Sequence, residues 1–127
     1  MGSLRKLFFS SLLLFLCIII GAHGAPCSLA DISISQRKTG GIVEGKPEYE
    51  VSVSNKCRCL QSKVVLRCYG LSSVESVNGW AIRPVDEERC LVGDGRAISR
   101  GTPVKFRYAW MTPQDFPVVS TLIHQCN

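Results

Sequence analysis

Histidine is scarce in this sequence, with only His23 and His124 among 127 residues. Neither stands beside a nucleophile in a local catalytic motif, and no Walker lysine accompanies residues 93–96, which only superficially resemble a phosphate loop. The acidic run at residues 86–88 falls in a predicted loop, where adjacent carboxylates are usually solvated rather than catalytic. The sequence therefore predicts a protein that is not an enzyme and that needs no cofactor.

Only one long apolar run is present, at residues 7–20, and it follows Arg5 and Lys6. Small residues come after the run, as they do before a signal-peptide cut. A membrane anchor is the rival interpretation, but a span needs about 20 apolar residues. We therefore predict a helical, cleaved signal peptide over residues 1–24. The mature domain, residues 25–127, is then secreted and has no membrane attachment.

Charge of one sign is not concentrated anywhere in the mature region. Without Arg5 and Lys6, 13 of the 15 basic side chains remain against 10 acidic ones, a net charge of +3. The basic residues are scattered and form no recognised nucleic-acid motif, so no nucleic-acid partner is predicted. A mild positive charge permits contact with an acidic receptor face or a pectic polysaccharide without requiring either.

Cysteine is abundant, and its number is even once the signal peptide is removed. Cys17 leaves with the signal, and six cysteines remain: Cys27, Cys57, Cys59, Cys68, Cys90 and Cys126. In a short secreted domain this predicts three disulfides, with the pairing left open. Cys57 and Cys59 would face the same way on a strand, so they are expected to bond different partners. A metal site is disfavoured, because zinc motifs use wider cysteine spacing and more histidine.

Alternation of apolar and polar residues dominates the mature region, and no helix pattern stands out. The predicted strands cover residues 32–35, 49–54, 64–69, 80–83, 90–92, 104–110 and 118–123. Turn signals such as Asn78-Gly79 separate them. About seven short strands predict an all-β fold, a small disulfide-stapled β-sandwich, with a small barrel as the alternative.

The two tryptophans receive different predictions. Trp110 shares a strand face with Phe106 and Tyr108, so it is expected to pack in the core. Trp80 directly follows the Asn78-Gly79 turn and is not assigned to the core or to the surface. Exposed aromatic side chains in line would indicate a carbohydrate-stacking platform.

The order of several segments resembles the plant tapetum determinant family. These segments are Cys27, Thr39-Gly40, Gly45-Lys46-Pro47-Glu48-Tyr49-Glu50-Val51, Asn55-x-Cys57-x-Cys59, Val65-Leu66-x-Cys68, Cys90-Leu91-Val92-x-Asp94-Gly95, Val104-x-Phe106-x-Tyr108-Ala109 and Cys126. No single motif is decisive, but the order and spacing of the six cysteines are specific. The resemblance covers nearly the whole mature chain.

This resemblance implies a secreted signalling protein of the apoplast. The founding member of the family is a ligand of a leucine-rich-repeat receptor kinase and helps to specify anther cell fate. The resemblance therefore implies a receptor-kinase ectodomain as partner and a role in cell-fate or reproductive development. The alternative is a carbohydrate-binding cell-wall protein without catalysis. A small hydrolase or an inhibitor has no supporting motif beyond the compact scaffold.

Surface loops are the expected source of partner contacts. Two predicted loops, residues 37–46 and 94–100, combine charge with turn residues. The candidate partner-binding residues are Arg37, Lys38, Lys46, Asp94, Arg96 and Arg100. Solvated loops without a partner are the alternative for each of them, and Arg37-Lys38 is also a dibasic pair of the kind that processing enzymes cut.

The mature protein is expected to contain no free thiol, because all six cysteines are predicted to form disulfides. Alkylation without reduction, followed by intact-mass spectrometry, measures this directly. Two or more alkylated cysteines would contradict the prediction.

Overall fold

Seven strands and two single-turn 3-10 helices make up the computed structural model, which describes residues 26–126. The strands are β1 (Ile32–Val43), β2 (Lys46–Asn55), β3 (Gln61–Arg67), β4 (Ile82–Pro84), β5 (Arg89–Val92), β6 (Val104–Ala109) and β7 (Val118–Ile123). The 3-10 helices are Leu29–Asp31 and Gly93–Gly95. No helix within this part of the chain has the length and apolar character to cross a membrane. The predicted signal peptide, residues 1–24, lies outside the described residues.

Two antiparallel sheets face each other across the core. One sheet has the strand order β1-β2-β6, and the other has the order β4-β5-β3-β7. Because side chains alternate along a strand, β2 and β6 bury every second residue, including Val51, Phe106 and Tyr108. Leu66 and Cys90 are buried on the facing sheet. The predicted all-β class, the seven strands and the sandwich are confirmed.

Aromatic rings fill one half of this core. The rings of Tyr49 and Tyr108 stack with their centroids 5.2 Å apart. Phe116 meets Phe106 and Tyr108 edge-on, at centroid distances of 5.5 and 5.7 Å. These are the arrangements that aromatic pairs prefer. Trp110 is partly buried and packs against the hydrophobic core, which agrees with its predicted core role.

The first strand is much longer than its alternation pattern predicts. Pairing with β2 runs without interruption to Lys38↔Tyr49 and resumes at Ile42↔Pro47. Residues 39–41, which fall within the predicted loop over residues 37–46, instead form an irregularity within β1, where Gly40 takes a φ of +92° that suits glycine. The predicted loop over residues 37–46 is therefore wrong for most of its length, because β2 pairs with β1 on both sides of this irregularity and only residues 44–45 form a turn.

The strand predicted from Trp80 begins later than expected. The amides of Ala81 and Ile82 donate to the Asn78 carbonyl over 3.0 and 3.1 Å, which closes a turn. The Trp80 amide donates to Asn78 Oδ1 over 3.0 Å. Trp80 thus belongs to the turn, and its side chain projects outward with 67% of the residue exposed.

Three disulfides pair the six cysteines as Cys27–Cys57, Cys59–Cys126 and Cys68–Cys90. Cys57 and Cys59 reach different partners as predicted, although they lie on the connection between β2 and β3 rather than on a strand. The bonds join residues 30, 67 and 22 positions apart. Chain-entropy arguments assign about 3 to 4 kcal/mol of stabilisation to each loop of such length.

Two buried amide side chains hold the same connection from within. Asn55, which ends β2, donates through Nδ2 to the carbonyls of Cys59 and Ile98 over 2.8 and 2.9 Å. Gln61, which begins β3, donates through Nε2 to Asn55 Oδ1 over 3.3 Å and to the Ser28 carbonyl over 3.2 Å. Buried polar groups are tolerated when they are paired in this way. The amides therefore lock the point where the chain passes between the sheets.

Asn55→Ala is expected to lower the free energy of unfolding by about 2 kcal/mol, because it removes the side-chain donor to the Cys59 and Ile98 carbonyls. It also removes the acceptor of the Cys57 amide and of one of the two Gln61 Nε2 hydrogen bonds. Urea unfolding of the oxidised protein measures the loss. Ser54→Ala is the matched control, since Ser54 is the neighbouring polar residue on the opposite face of β2. Equal effects of the two substitutions would contradict a structural role for the amide network.

Candidate functional site

A ladder of alternating charges crosses the outer face of the three-stranded sheet. Arg37 Nη2 lies 3.1 Å from Glu50 Oε1, and Arg107 Nε lies 3.2 Å from Glu50 Oε2. The two arginine side chains are 64% and 56% exposed, whereas Glu50 is only 15% exposed. The hydrogen bond from Arg107 is the main cause that lowers the pKa of Glu50. Exposed ion pairs of this kind add little stability. Because the arginines are the more exposed partners, this face mainly presents cationic groups to solvent.

A pair of carboxyl groups, Glu48 and Glu75, lies at the end of this ladder. The segment that follows β3 brings Glu75 there, since the Val74 amide donates to the Ala109 carbonyl over 2.9 Å. Thr39 Oγ1 donates to Glu48 Oε1 over 2.6 Å. Among the described residues, the buried Glu75 Oε1 has no hydrogen-bond donor.

The pKa values of the two carboxyl groups are shifted in opposite directions. Burial, followed by the hydrogen bond and the charge of Glu48, raises the pKa of Glu75. The Thr39 hydrogen bond, followed by that with Glu75, lowers the pKa of Glu48. The pair is therefore best satisfied with a proton on Glu75 that is donated to an ionised Glu48.

The distal part of the β1–β2 hairpin forms one exposed surface, which we call the hairpin end (residues 38–46). The third strand, β6, pairs only with residues 48–53 of β2, so it does not extend to the hairpin end. Ile42 is 68% exposed there. Val43 pairs with Lys46 beside the turn, where Glu44 has a φ of 47° and Gly45 of 76°.

A second surface lies at the other end of the sandwich, around a cavity of about 370 Å³ that we call the Trp80 cavity. Its lining includes Trp80, Arg96 and Val104. Val104 pairs with Val53, near the end of β2 that is remote from the hairpin turn. The hairpin end and the Trp80 cavity are therefore well separated along the strands.

The six predicted partner-binding residues divide between these two ends. Arg37, Lys38 and Lys46 lie on β1 and β2, not on a loop as predicted. Asp94 belongs to the second 3-10 helix, and Arg96 and Arg100 follow it on a loop, as predicted. Asp94 Oδ1 is 3.3 Å from Arg83 Nη2, so its charge is partly neutralised.

Asp86 and His124 have structural roles that the sequence alone did not reveal. Asp86 Oδ2 is 2.7 Å from Arg89 Nη2, and the resulting hydrogen bond is the largest cause that lowers the pKa of Asp86, so the acidic run organises the β4–β5 turn. His124 Nε2 lies 2.6 Å from Ser62 Oγ, a contact between residues 62 positions apart that no local motif reveals. This contact anchors the C-terminal tail to β3.

Sulfur atoms cluster at the β2–β3 connection. The Sγ atoms of Cys27, Cys57 and Cys59 lie within 4.8 Å of one another. Each of them is engaged in a disulfide, Cys27 with Cys57 and Cys59 with Cys126. Metals bind thiolates, and a disulfide sulfur carries no thiolate charge. The cluster is thus the contact between two disulfides.

A two-sheet sandwich held by three disulfides defines a small cysteine-rich β domain. The chain belongs to the tapetum determinant 1 family, because residues 28–126 match the family profile described as Tapetum determinant 1, C-terminal. Proteins of this family are generally small, cysteine-rich and non-catalytic. The family resemblance of the sequence is confirmed.

Two curated relatives support the assignment. The chain is 35% identical over 88 residues to TPD1 protein homolog 1 of Arabidopsis thaliana, which covers 68% of this chain and 49% of that protein. It is 31% identical over 96 residues to TPD1 protein homolog 1A of Oryza sativa subsp. japonica, which covers 69% of this chain and 42% of that protein. The chain thus spans about half the length of these relatives or less. No solved structure matches it significantly.

Glu75→Gln is expected to stabilise the protein increasingly as the pH rises. A raised pKa in the folded state means that Glu75 contributes stability at low pH and that this contribution is lost as the pH climbs through that pKa. The glutamine amide still donates to Glu48 but carries no charge. Urea midpoints between about pH 4 and pH 8 measure the divergence from wild type.

The matched control for this measurement is Glu87→Gln, an exposed carboxylate in the acidic run. It should follow the wild-type pH profile. Parallel profiles of Glu75→Gln and wild type would show that the carboxyl pair does not share a proton.

Proposed function

We propose that this chain is a secreted, cysteine-rich signalling protein that binds the ectodomain of a leucine-rich-repeat receptor kinase in plant cell-fate or reproductive (anther) development. Membership of the tapetum determinant 1 family carries the proposal. The three disulfides are consistent with an oxidising compartment outside the cytosol. The predicted signal peptide over residues 1–24 would deliver the mature domain, residues 25–127, to the apoplast.

The rigidity of the scaffold suits a ligand for a receptor of this class. A leucine-rich-repeat ectodomain presents an extended concave surface. A partner whose loops and hairpins are already ordered loses little conformational entropy when it docks. The disulfides at Cys57 and Cys59, with the buried amides of Asn55 and Gln61, supply that order here.

We place the receptor contact at the hairpin end, with Ile42 as its centre. Ile42 is 68% exposed, and the side chains of Lys38 and Lys46 lie on the same hairpin. An apolar anchor surrounded by polar and charged side chains is the usual anatomy of a protein interface. Arg37 extends the basic rim toward the outer sheet face, where Glu50 holds its guanidinium.

The alternative function, a carbohydrate-binding wall protein, is favoured by one observation. Trp80 is 67% exposed beside a cavity, which is where a sugar-stacking side chain would lie. Because the Trp80 cavity and the hairpin end are remote from each other, the two functions do not compete for one surface.

Wild-type protein is expected to bind at least one ectodomain in a panel of leucine-rich-repeat receptor kinases at roughly micromolar concentration or below. Ile42→Asp should weaken that binding about tenfold or more, because it places an uncompensated charge at the centre of the interface. Surface plasmon resonance with immobilised ectodomains measures both.

Leu122→Asp provides the matched control, since Leu122 is an exposed aliphatic residue on β7 of the other sheet. It should bind as wild type does. Failure of folded wild-type protein to bind any ectodomain would overturn the signalling proposal. Equal losses for the Ile42 and Leu122 variants would overturn the placement at the hairpin end.

A further inference from the structure

The Trp80 cavity differs in charge from the other cavities on the described surface. Among the described residues that line it, Arg96 is the only charged one. Cavities on the outer sheet face combine Glu50 with Lys105, and the one beside the β4–β5 turn combines acidic with basic side chains. Arg96 also makes no ion pair within residues 26–126. The cavity therefore presents an uncompensated positive charge that favours an anionic ligand.

Trp80 is held rigidly at the mouth of this cavity. The Asn78 side chain accepts from its amide, and the next residue, Ala81, is buried. The Ala81 carbonyl accepts from the Gly93 amide over 2.7 Å, which ties the turn to the loop that carries Arg96. These bonds fix the backbone that carries the indole, so the mostly exposed ring is presented beside the cavity at a lower entropy cost of binding.

Arg96 is positioned by the same loop. Its Nε donates to the Gly93 carbonyl over 3.1 Å, and its guanidinium carbon lies 5.9 Å from the centroid of the Trp80 ring. This contact is a cation–π interaction. Because Nε is used internally, the terminal nitrogens remain to meet a carboxylate beside the indole.

The rest of the lining matches a ring that has one apolar face and a polar edge. Ala81, Ile98 and Val104 supply small apolar surface, and Asn78 and Thr102 supply an amide and a hydroxyl group. Small-molecule sites likewise combine apolar surface with a few polar groups that orient the ligand.

We propose that Trp80 and Arg96 form a binding site for a uronic acid unit, in which the sugar ring stacks on the indole and its carboxylate pairs with the guanidinium. The site serves retention on acidic polysaccharide and is separate from the receptor contact. It stands or falls independently of the signalling proposal, because the hairpin end lies at the opposite end of the sandwich.

The test uses the folded, oxidised mature protein with polygalacturonate oligomers and with free galacturonate. Affinity electrophoresis and isothermal titration calorimetry measure binding, and methyl-esterified polygalacturonate removes the carboxylate charge. Wild type is expected to bind the oligomers and the free acid but not the ester. Trp80→Ala and Arg96→Ala should each weaken binding about tenfold or more.

Two further variants separate the site from general charge and from folding defects. Arg100→Ala removes the same charge as Arg96→Ala from the same loop, but Arg100 does not line the cavity; it should bind within about twofold of wild type. Trp80→Phe keeps an aromatic face and should recover most of the affinity lost in Trp80→Ala.

Three results would overturn the proposal. Equal losses in the Arg96 and Arg100 variants would reveal binding to net charge alone. Unchanged binding by Trp80→Ala would remove the stacking role. Absence of any wild-type binding to polygalacturonate, in protein that does bind a receptor ectodomain, would reject the sugar site while leaving the signalling proposal intact.

Discussion

The passage of the chain from one sheet to the other, at residues 55–61, is the constraint on which the rest of the structure depends. Two disulfides leave this short connection in different directions, one to Cys27 and one to Cys126. Inside it, the Asn55 and Gln61 side chains hydrogen-bond each other, the Cys59 carbonyl of the same connection, and the Ile98 and Ser28 carbonyls of other segments. A domain of this size buries too little apolar surface to be very stable by burial alone, so covalent and buried polar links at one point have a large effect. They tie both ends of the described chain to the centre of the fold.

This constraint also determines where the two candidate surfaces lie. The Ile98 carbonyl accepts from Asn55, and the Ile98 amide donates to the Gln61 carbonyl over 2.8 Å. The loop that carries Arg96 is therefore fixed to the sheet connection, and the Trp80 cavity is built against it. The β1–β2 hairpin extends from the same connection in the opposite direction, beyond the strand that supports its base. The connection at residues 55–61 thus supports the Trp80 cavity at its own end of the sandwich and the hairpin end at the opposite end.

Much of this fold follows from local patterns, and the remainder depends on contacts that are remote in sequence. Alternation and short apolar runs located all seven strands, most clearly in β2 and β6, where alternate residues are buried. The second half of β1 escaped prediction because residues 36–41 are polar or glycine and only two apolar residues follow them, so only pairing with β2 makes this segment a strand. The cysteine pairing depends on how the two sheets pack, so the sequence alone could not determine it. The sequence places Trp80 directly after a turn, but its exposure depends on the Asn78 hydrogen bonds, which no local pattern predicts. The Glu48–Glu75 pair joins separate segments and leaves no signature in the sequence.

The disulfide map tests the account of the sheet connection most directly. Trypsin cuts after Lys56 and Arg58, so it separates Cys57 from Cys59, and its other sites leave each remaining mature cysteine on a peptide of its own. Mass spectrometry of an unreduced digest should then find three linked pairs: the peptide that ends at Arg37 with Cys57-Arg58, residues 59–63 with 108–127, and residues 68–89 with 90–96. Exchange of partners between Cys57 and Cys59, or a bond between them, would contradict the structure of the sheet connection, on which the positions of the hairpin end and the Trp80 cavity depend.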